Sequence, residues 1–163
     1  MAEVQVTDLC RTAGVHRTTF YKHFVTASDL AVTITAELFD RIDYRGAWAN
    51  QSTVYRTWLT DLLHHVAEGR SVYGCLLKRG GDANVMQATG DKLVARAAHG
   101  IKFAAGDGRG LPMDPQAYAL AIGFGSFGLV QAVLTDDTLD IPATVEAFLD
   151  AVPSSLGQLR SAS

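Results

Sequence analysis

Apolar residues recur every three or four positions along most of the chain, and this period predicts helices. The clearest example runs from Gln51 to Glu68, where Trp58, Leu62 and Val66 share one face. Further helices are predicted from Thr26 or Ser28 to just before Gly46, and over 84–104, 115–134 and 142–152, with a short apolar element at 73–78. No stretch shows the sustained alternation and flanking turn residues of a strand. The predicted fold class is all-α.

Residue types at the helix ends add detail to this pattern. Asn84 is predicted to cap the helix that follows it, and Asp114 with Pro115 forms the usual opening of another. After Ser28, an apolar stripe is predicted to face the core, and its members are Leu30, Ile34, Leu38 and Ile42. The chain should therefore form a bundle of amphipathic helices.

The stretch Val6–Phe24 is predicted to form two short helices separated by a turn at Gly14. Thr7 is predicted to cap the first helix, and Phe20 and Phe24 are predicted to pack in the core. The only formal charges between Leu9 and Val25 are positive, on Arg11, Arg17 and Lys22. Two short helices joined by a glycine turn are typical of a helix-turn-helix, whose second helix enters the DNA major groove. The alternative is a generic helix pair in which Gly14 is only a helix stop.

Composition narrows the class of protein. The 163 residues are 48% hydrophobic and 19% charged, as in a soluble globular protein. The net charge of −3 requires any DNA binding to use a local positive surface. Cys10 and Cys75 have no metal-site spacing and are expected to be reduced, buried thiols. The sequence shows no signal peptide and no apolar run near the roughly 20 residues that cross a bilayer, so no membrane association and a cytoplasmic location are expected.

The segment 117–134 is apolar on more than one face, with Leu120, Phe124 and Phe127 on one side and Tyr118 and Ile122 on others. Such a helix is buried on more than one face. It is either a central core helix, or it joins 142–152 to form half of a four-helix bundle shared with a second subunit. The pattern leaves both alternatives open.

The sequence over 6–30 resembles the tetracycline-repressor (TetR) family of bacterial regulators. The matching pieces are VTDLCRTAGV, RTTFYKHF and the SDL that opens the next helix. The resemblance implies a homodimer that binds a near-palindromic double-stranded DNA operator, usually as a repressor released by a small molecule. It also implies a role in DNA binding for seven residues: Arg17, Thr18, Thr19 and Lys22 facing the groove, Tyr21 and His23 on the backbone, and Thr7 on a phosphate.

The sequence departs from the family pattern in two ways. The family has a first helix before this motif, whereas only six residues precede Thr7 here. Ala27 stands where the family usually has a phosphate-binding lysine. The resemblance predicts a DNA-binding head with its connecting helix at 1–45, lacking the first helix, and a helical ligand-binding and dimerisation domain at 46–163.

Aromatic and apolar residues of the second domain are candidates for an effector pocket, since such pockets are mostly apolar with a few polar groups. The candidates are Tyr55, Trp58, Leu62, His65, Tyr73, Met86, Phe103, Phe124 and Phe127. They indicate a hydrophobic, largely uncharged effector. The alternative for each is simple core packing, and for His65 a hydrogen-bonded core position.

Other chemistry is not expected. Gly123, Gly125 and Gly128 spell a dinucleotide-binding motif, but they fall in a helical run without the strand that the motif requires. His64 and His65 are adjacent, so they point in different directions and do not form a metal site. No nucleophile has a base at useful spacing. The sequence therefore predicts no enzyme activity, no cofactor and no metal. It predicts a DNA-binding transcriptional regulator, or alternatively a ligand-binding and dimerisation module with a vestigial head.

Overall fold

The computed structural model describes residues 5–43, 51–105, 111 and 113–151, and gives side chains for all of these except 39–43, 51–54 and 103–105. Within these ranges every regular element is a helix, so the chain is all-α as predicted. The helices are α1 (Val6–Ala13), α2 (Arg17–His23), α3 (Ala27–Asp43), α4 (Gln51–Glu68), α5 (Arg70–Leu77), α6 (Ala83–Ala105), α7 (Pro115–Thr135) and α8 (Ile141–Ala151). The tail beyond Ala151 lies outside the described residues.

Helix boundaries follow the sequence pattern with three corrections. Thr7 is not the cap of α1, because the helix already begins at Val6 and is preceded by Gln5. Asn84 is not the cap of α6: the carboxylate of Asp82 accepts the backbone N–H groups of Asn84 and Val85. The apolar element predicted at 73–78 is a helix that starts earlier, directly after Gly69. By contrast, Asp114 caps α7 as predicted, accepting from the N–H groups of Gln116 and Ala117.

The main core forms where α4 meets α7 and α8. On α4, the predicted stripe is buried and widened by two leucines, giving Trp58, Leu59, Leu62, Leu63 and Val66. It packs against Val130, Val133 and Leu134 of α7 and Ile141 and Val145 of α8. Apolar burial of this kind stabilises a fold by about 25 cal/mol for each Å² removed from water. This core holds together the part of the chain that follows the head.

The most extensive contact between described helices joins α6 and α7, and it depends on a glycine. A Cβ atom built on Gly123 would lie 2.6 Å from both the Cα and the Cγ2 of Val94. Because real side chains do not approach a backbone atom this closely, only glycine permits the observed packing. The glycines of the rejected dinucleotide motif lie inside α7, and Gly123 serves helix packing there.

Helix α7 has one buried and one exposed apolar face. Tyr118, Ile122 and Val130 are buried, whereas Leu120 is 41% exposed and Phe124 is 50% exposed. Over 21 residues, with a mean hydropathy of 1.7 in its most apolar window, α7 is long and apolar enough to cross a membrane by length and composition alone. The expectation that no apolar run approaches this length is therefore wrong. The signal is weak, because a core helix passes the same test and 44% of this window is buried in the protein.

Helix α3 faces α6 with a different stripe from the predicted one. Ile34 is 52% exposed, whereas Thr35 is buried and Ala31 and Val32 pack against the core. Thr35 tolerates burial because its hydroxyl donates to the carbonyl oxygen of Ala31 at 2.8 Å. Ile42 is among the residues whose side chains the structure does not describe. The prediction that Ile34 faces the core is therefore wrong, whereas Leu30 and Leu38 of the same stripe are half-buried.

Candidate DNA-binding head and its link to the helical core

The turn between α1 and α2 has the backbone geometry that its glycine predicts. Gly14 is left-handed, with φ of 67° and ψ of 24°. The N–H of Val15 donates to the oxygen of Cys10 at 3.0 Å, and the N–H of Gly14 donates to that of Arg11 at 3.4 Å. This pair of hydrogen bonds is a Schellman motif, which favours glycine at the left-handed residue. Local sequence thus fixes the angle between the two helices.

The interior of the head is small. Cys10 of α1 and Phe20 of α2 are buried, and Phe24 is half-buried with its ring centroid 5.6 Å from that of Phe20. The prediction that both phenylalanines pack inward is confirmed for Phe20 and in part for Phe24. Packing these rings inward turns the rest of α2 outward.

The seven predicted DNA-binding side chains are all exposed: Thr7, Arg17, Thr18, Thr19, Tyr21, Lys22 and His23. Six lie on α2, where the guanidinium carbon of Arg17 is 5.9 Å from the centre of the Tyr21 ring. Thr7 lies in the first turn of α1. The structure thus gathers polar, hydrogen-bonding and positively charged groups on the outside of one helix. Their contacts with DNA stay a prediction.

Arg11 belongs less clearly to this positive surface. Its guanidinium lies 3.2 Å from the carboxylate of Asp8, one turn earlier on α1. Such an exposed pair contributes little to stability, but it offsets the charge of Arg11 locally. Arg17 and Lys22 therefore carry the positive charge of the head.

A capping box joins α2 to α3. The carboxylate of Asp29 accepts the N–H groups of Val25 at 3.1 Å and Thr26 at 2.9 Å, while the N–H of Asp29 donates to the hydroxyl of Thr26. Thr26 is therefore the cap residue of α3, and reciprocal capping fixes the entry of the chain into the helix. Only residues 24–26 separate α2 from α3.

A hydrogen-bonded cluster, Ser28–Asp82–Asn84, connects α3 to the start of α6. The hydroxyl of Ser28 donates to the carboxylate of Asp82 at 2.8 Å, and the amide nitrogen of Asn84 donates to the Ser28 oxygen at 3.2 Å. Partial burial opposes ionisation of Asp82, but the hydrogen bonds from Ser28, Val85 and Asn84 outweigh it and lower the pKa of this carboxyl. Sequence reasoning missed this cluster, because the 54 positions between its two halves give no local signal.

The nine candidate pocket residues do not share one environment. Trp58 and Leu62 are buried in the main core, while Tyr55, Tyr73 and Phe127 pack at its edge. Phe124 is half exposed, and its ring lies against Gly90 of α6. Met86 is half-buried near the start of α6, and Phe103 is among the residues whose side chains the structure does not describe. Ligand contact by these residues stays a prediction.

Two of the candidates form side-chain hydrogen bonds. His65 and Tyr73 are joined at 2.9 Å between Nε2 and the phenolic oxygen, in line with the hydrogen-bonded alternative for His65. The hydroxyls of Tyr55 and Ser126 are 2.8 Å apart. Either hydroxyl can be the donor in this pair, and the Ser126 hydroxyl also lies 2.9 Å from the carbonyl oxygen of Ile122. Burial raises the pKa of Tyr55 to about 12, although the bond to Ser126 and nearby Arg96 act in the opposite direction.

A groove of about 340 Å³ lies between α3 and α6. Its lining is mostly apolar, with two threonines and a charged rim, and consists of Val32, Thr35, Ala36, Ala88, Thr89, Asp91, Lys92 and Ala95. None of the candidate residues whose side chains are described lines this groove. Its volume falls within the range of small-molecule sites, which is roughly 300–1,000 Å³.

The two cysteines are free thiols, but only one fits the prediction. Cys10 is buried in the head, whereas Cys75 is exposed on α5. The expectation that both are buried is therefore wrong for Cys75, because the interior face of this short helix is formed by Leu77.

Comparisons of the chain with protein-family models, with curated proteins and with solved structures give no match.

Proposed function

We propose that this protein is a DNA-binding transcriptional regulator, a repressor that a small hydrophobic effector releases from its operator. The observation that carries the proposal is the exposed polar and basic surface of α2, set by the Gly14 turn behind it. Arginine and lysine bond the O6 and N7 atoms of guanine, and threonine methyl groups contact thymine. Arg17, Thr18, Thr19 and Lys22 supply these groups, and Tyr21, His23 and Thr7 supply hydrogen bonds for the backbone.

The exposed apolar face of α7 supports the proposal that the protein is a dimer. Ala117, Leu120, Ala121, Phe124 and Gly128 are exposed along one side of α7, and Ala143 and Ala147 are exposed on α8. Apolar stripes on two helices that meet those of a second copy give an intersubunit four-helix bundle. A two-fold dimer presents two α2 helices to successive major grooves of a near-palindromic site.

Release by an effector requires a ligand that binds the two conformations of the dimer unequally. The groove between α3 and α6 supports such a role, because α3 leads directly into the head. An apolar molecule that separates α3 from α6 would alter the spacing of the two α2 helices. Tyr55, His65 and the other seven candidates remain the alternative lining for an effector.

The test starts with selection of a DNA site from a random duplex pool by the full-length chain. We expect Arg17→Ala with Lys22→Ala to weaken binding to the selected site by at least tenfold in a gel-shift assay, since each good base contact contributes about 1–3 kcal/mol. Lys102→Ala, an exposed lysine on α6, is the matched control and should bind as the parent does. Equal binding by the double variant and the control would contradict the assignment of α2 as the recognition helix.

One observation favours the second candidate, a ligand-binding and dimerisation module whose head does not bind DNA. Val15, Val25 and Ile34 are 44%, 80% and 52% exposed, so part of the apolar surface near the head is uncovered within the described residues. A weakly packed head would exchange its amide hydrogens rapidly. Rapid exchange throughout α1 and α2, together with no salt-sensitive DNA binding, would favour the module over the regulator.

A further inference from the structure

We propose that the turn between α5 and α6, through Arg79 and Lys78, forms a second contact with the DNA backbone beside the head. This inference rests on the proposed function, because it extends the surface on which the DNA would lie. The segment 70–81 contains three cations, Arg70, Lys78 and Arg79, and no acidic residue. Its tip therefore carries positive charge in a chain whose net charge is −3.

The position of the turn follows from the Ser28–Asp82–Asn84 cluster. Ser28 is the second residue of α3, five positions after the end of α2, and its hydroxyl lies 2.8 Å from the Asp82 carboxylate. Arg79 precedes Asp82 by three residues, so their Cα atoms lie within about 11 Å of each other. The basic turn is thus held at the end of α6 that adjoins the head.

The turn has a defined shape. Gly80 is left-handed with φ of 83°, the N–H of Gly81 donates to the oxygen of Lys78 at 2.7 Å, and the N–H of Asp82 donates to that of Leu76 at 3.0 Å. A Cβ atom on Gly81 would lie 2.3 Å from the Leu76 oxygen, so the turn requires glycine there. A tight turn presents Arg79 with little loss of backbone entropy on binding.

The charges of the turn are available to a phosphate. Lys78 and Arg79 are exposed, and neither forms an ion pair within the described part of the chain. The nearby Asp82 carboxylate accepts hydrogen bonds from Ser28 and two backbone N–H groups, and that of Asp29 accepts two more. The Lys78 stem lies along α5, with its Cε 3.4 Å from a Cβ built on Gly74, so Arg79 is the more prominent cation of the two.

Phosphate contacts do not depend on base sequence, so a duplex of random sequence is a sufficient probe. The full-length chain is titrated onto a labelled random-sequence duplex of about 30 base pairs, roughly three helical turns, at several salt concentrations. Removing one phosphate-binding cation from each subunit of the dimer should lower the slope of log affinity against log salt concentration by about 1.8, which at 0.1 M salt is on the order of 60-fold in affinity. We expect this decrease for Arg79→Ala and a larger one for Lys78→Ala with Arg79→Ala.

The controls separate this inference from the proposed function. Lys102 lies 19 residues after Ala83, the first residue of α6, which is about 29 Å along the helix at 1.5 Å per residue. Lys102→Ala removes a positive charge at that distance and should leave the slope unchanged. Arg79→Lys keeps the charge and should retain most of the slope. A parent chain that does not bind, or an Arg17→Ala/Lys22→Ala variant that binds normally, contradicts the proposed function. A parent that binds, with Arg79→Ala indistinguishable from Lys102→Ala, overturns the second contact alone.

Discussion

The hydroxyl of Ser28 donates a 2.8 Å hydrogen bond to the carboxylate of Asp82, and this contact ties α3 to the first turn of α6. The same carboxylate caps α6 through two backbone N–H groups. The carboxylate of Asp82 therefore has two roles. It caps α6, and it binds α3, the helix that leads to the head.

Replacing Asp82 with alanine should destabilise the protein more than replacing Ser28. Asp82→Ala removes a helix cap, which is worth about 0.5–2 kcal/mol, together with the bond to Ser28. Ser28→Ala removes one partner of a partly buried hydrogen bond and should cost about 1 kcal/mol. Urea unfolding measures both free energies. Ser71→Ala on α5, whose side chain is exposed, is the control and should change stability by less than about 0.5 kcal/mol.

Acid should weaken this cluster in a defined direction. The pKa of Asp82 is lowered from its usual value of 3.8 in the folded protein, so the charged form is the one that stabilises the fold. That contribution is complete above the unfolded-state pKa and is lost as the pH falls through the lower folded value. The free energy of unfolding should therefore fall more steeply below about pH 4 in the parent than in Asp82→Asn. Parallel curves for the two proteins would contradict this assignment.

The bond between Tyr55 and Ser126 predicts unequal effects of two conservative changes. Ser126→Ala leaves the buried phenolic hydroxyl of Tyr55 without its partner, which should cost about 1–3 kcal/mol, whereas Tyr55→Phe leaves the Ser126 hydroxyl with the carbonyl oxygen of Ile122 and should cost about 1 kcal/mol. The raised pKa of Tyr55, about 12, means that stability is intact below pH 10 and falls between pH 10 and 12. Tyr55→Phe should remove this alkaline loss. Equal costs for the two variants would contradict the prediction that only the loss of Ser126 leaves a buried hydroxyl without a partner.

Gly123→Ala should be among the most damaging small substitutions in the chain. The new methyl group would meet the backbone of Val94 at 2.6 Å, so α6 and α7 would have to separate, at an expected cost above roughly 2 kcal/mol. Gly100→Ala on α6 is the matched control, since nothing lies within 4 Å of its Cβ position. Helix propensity alone should stabilise that variant by about 0.5–1 kcal/mol. Thermal unfolding of both variants measures the difference.

Leu120→Glu should convert the proposed dimer into monomers. Leu120 is 41% exposed on the apolar face of α7, and a charge there would be buried without a partner in the shared bundle. Light scattering should give twice the chain mass of 17.5 kDa for the parent and a single chain for the variant. Val72→Glu places the same charge at a residue that is 61% exposed on α5 and should remain dimeric. A parent of 17.5 kDa at micromolar concentration would contradict the shared bundle.

Features with local causes were predictable from the sequence. The Gly14 turn, the Asp114 cap and the buried face of α4 each depend on residues within one or two turns of helix, and all three are observed. Hydrophobicity alone assigns Ile34 to the core, yet its neighbour Thr35 occupies that place. Contact with α6 sets the rotation of α3, and the hydroxyl of Thr35 is satisfied within its own helix.

The site was predictable only as far as it is local. The exposed residues of α2 follow from the inward packing of Phe20, which their own sequence indicates. The attachment of the head to α6 depends on Ser28 and Asp82, which are 54 positions apart, and no periodic pattern relates them. The predicted cap of α6 is wrong because Asp82 and Asn84 are both good capping residues, and the helix begins at Ala83, which makes Asp82 the cap.

The capping box at Thr26 and Asp29 has a mechanical consequence. If the backbone amides of this three-residue connection were free, its dihedral angles could change easily. A rotation of α3 would then leave the position of α2 unchanged. Here two of those amides, of Val25 and Thr26, are bonded to a side chain of α3 itself. These bonds should restrict rotation at the connection, so that a tilt of α3 about its contact with α6 would displace the outer end of α2 by a distance that grows with its separation from that contact.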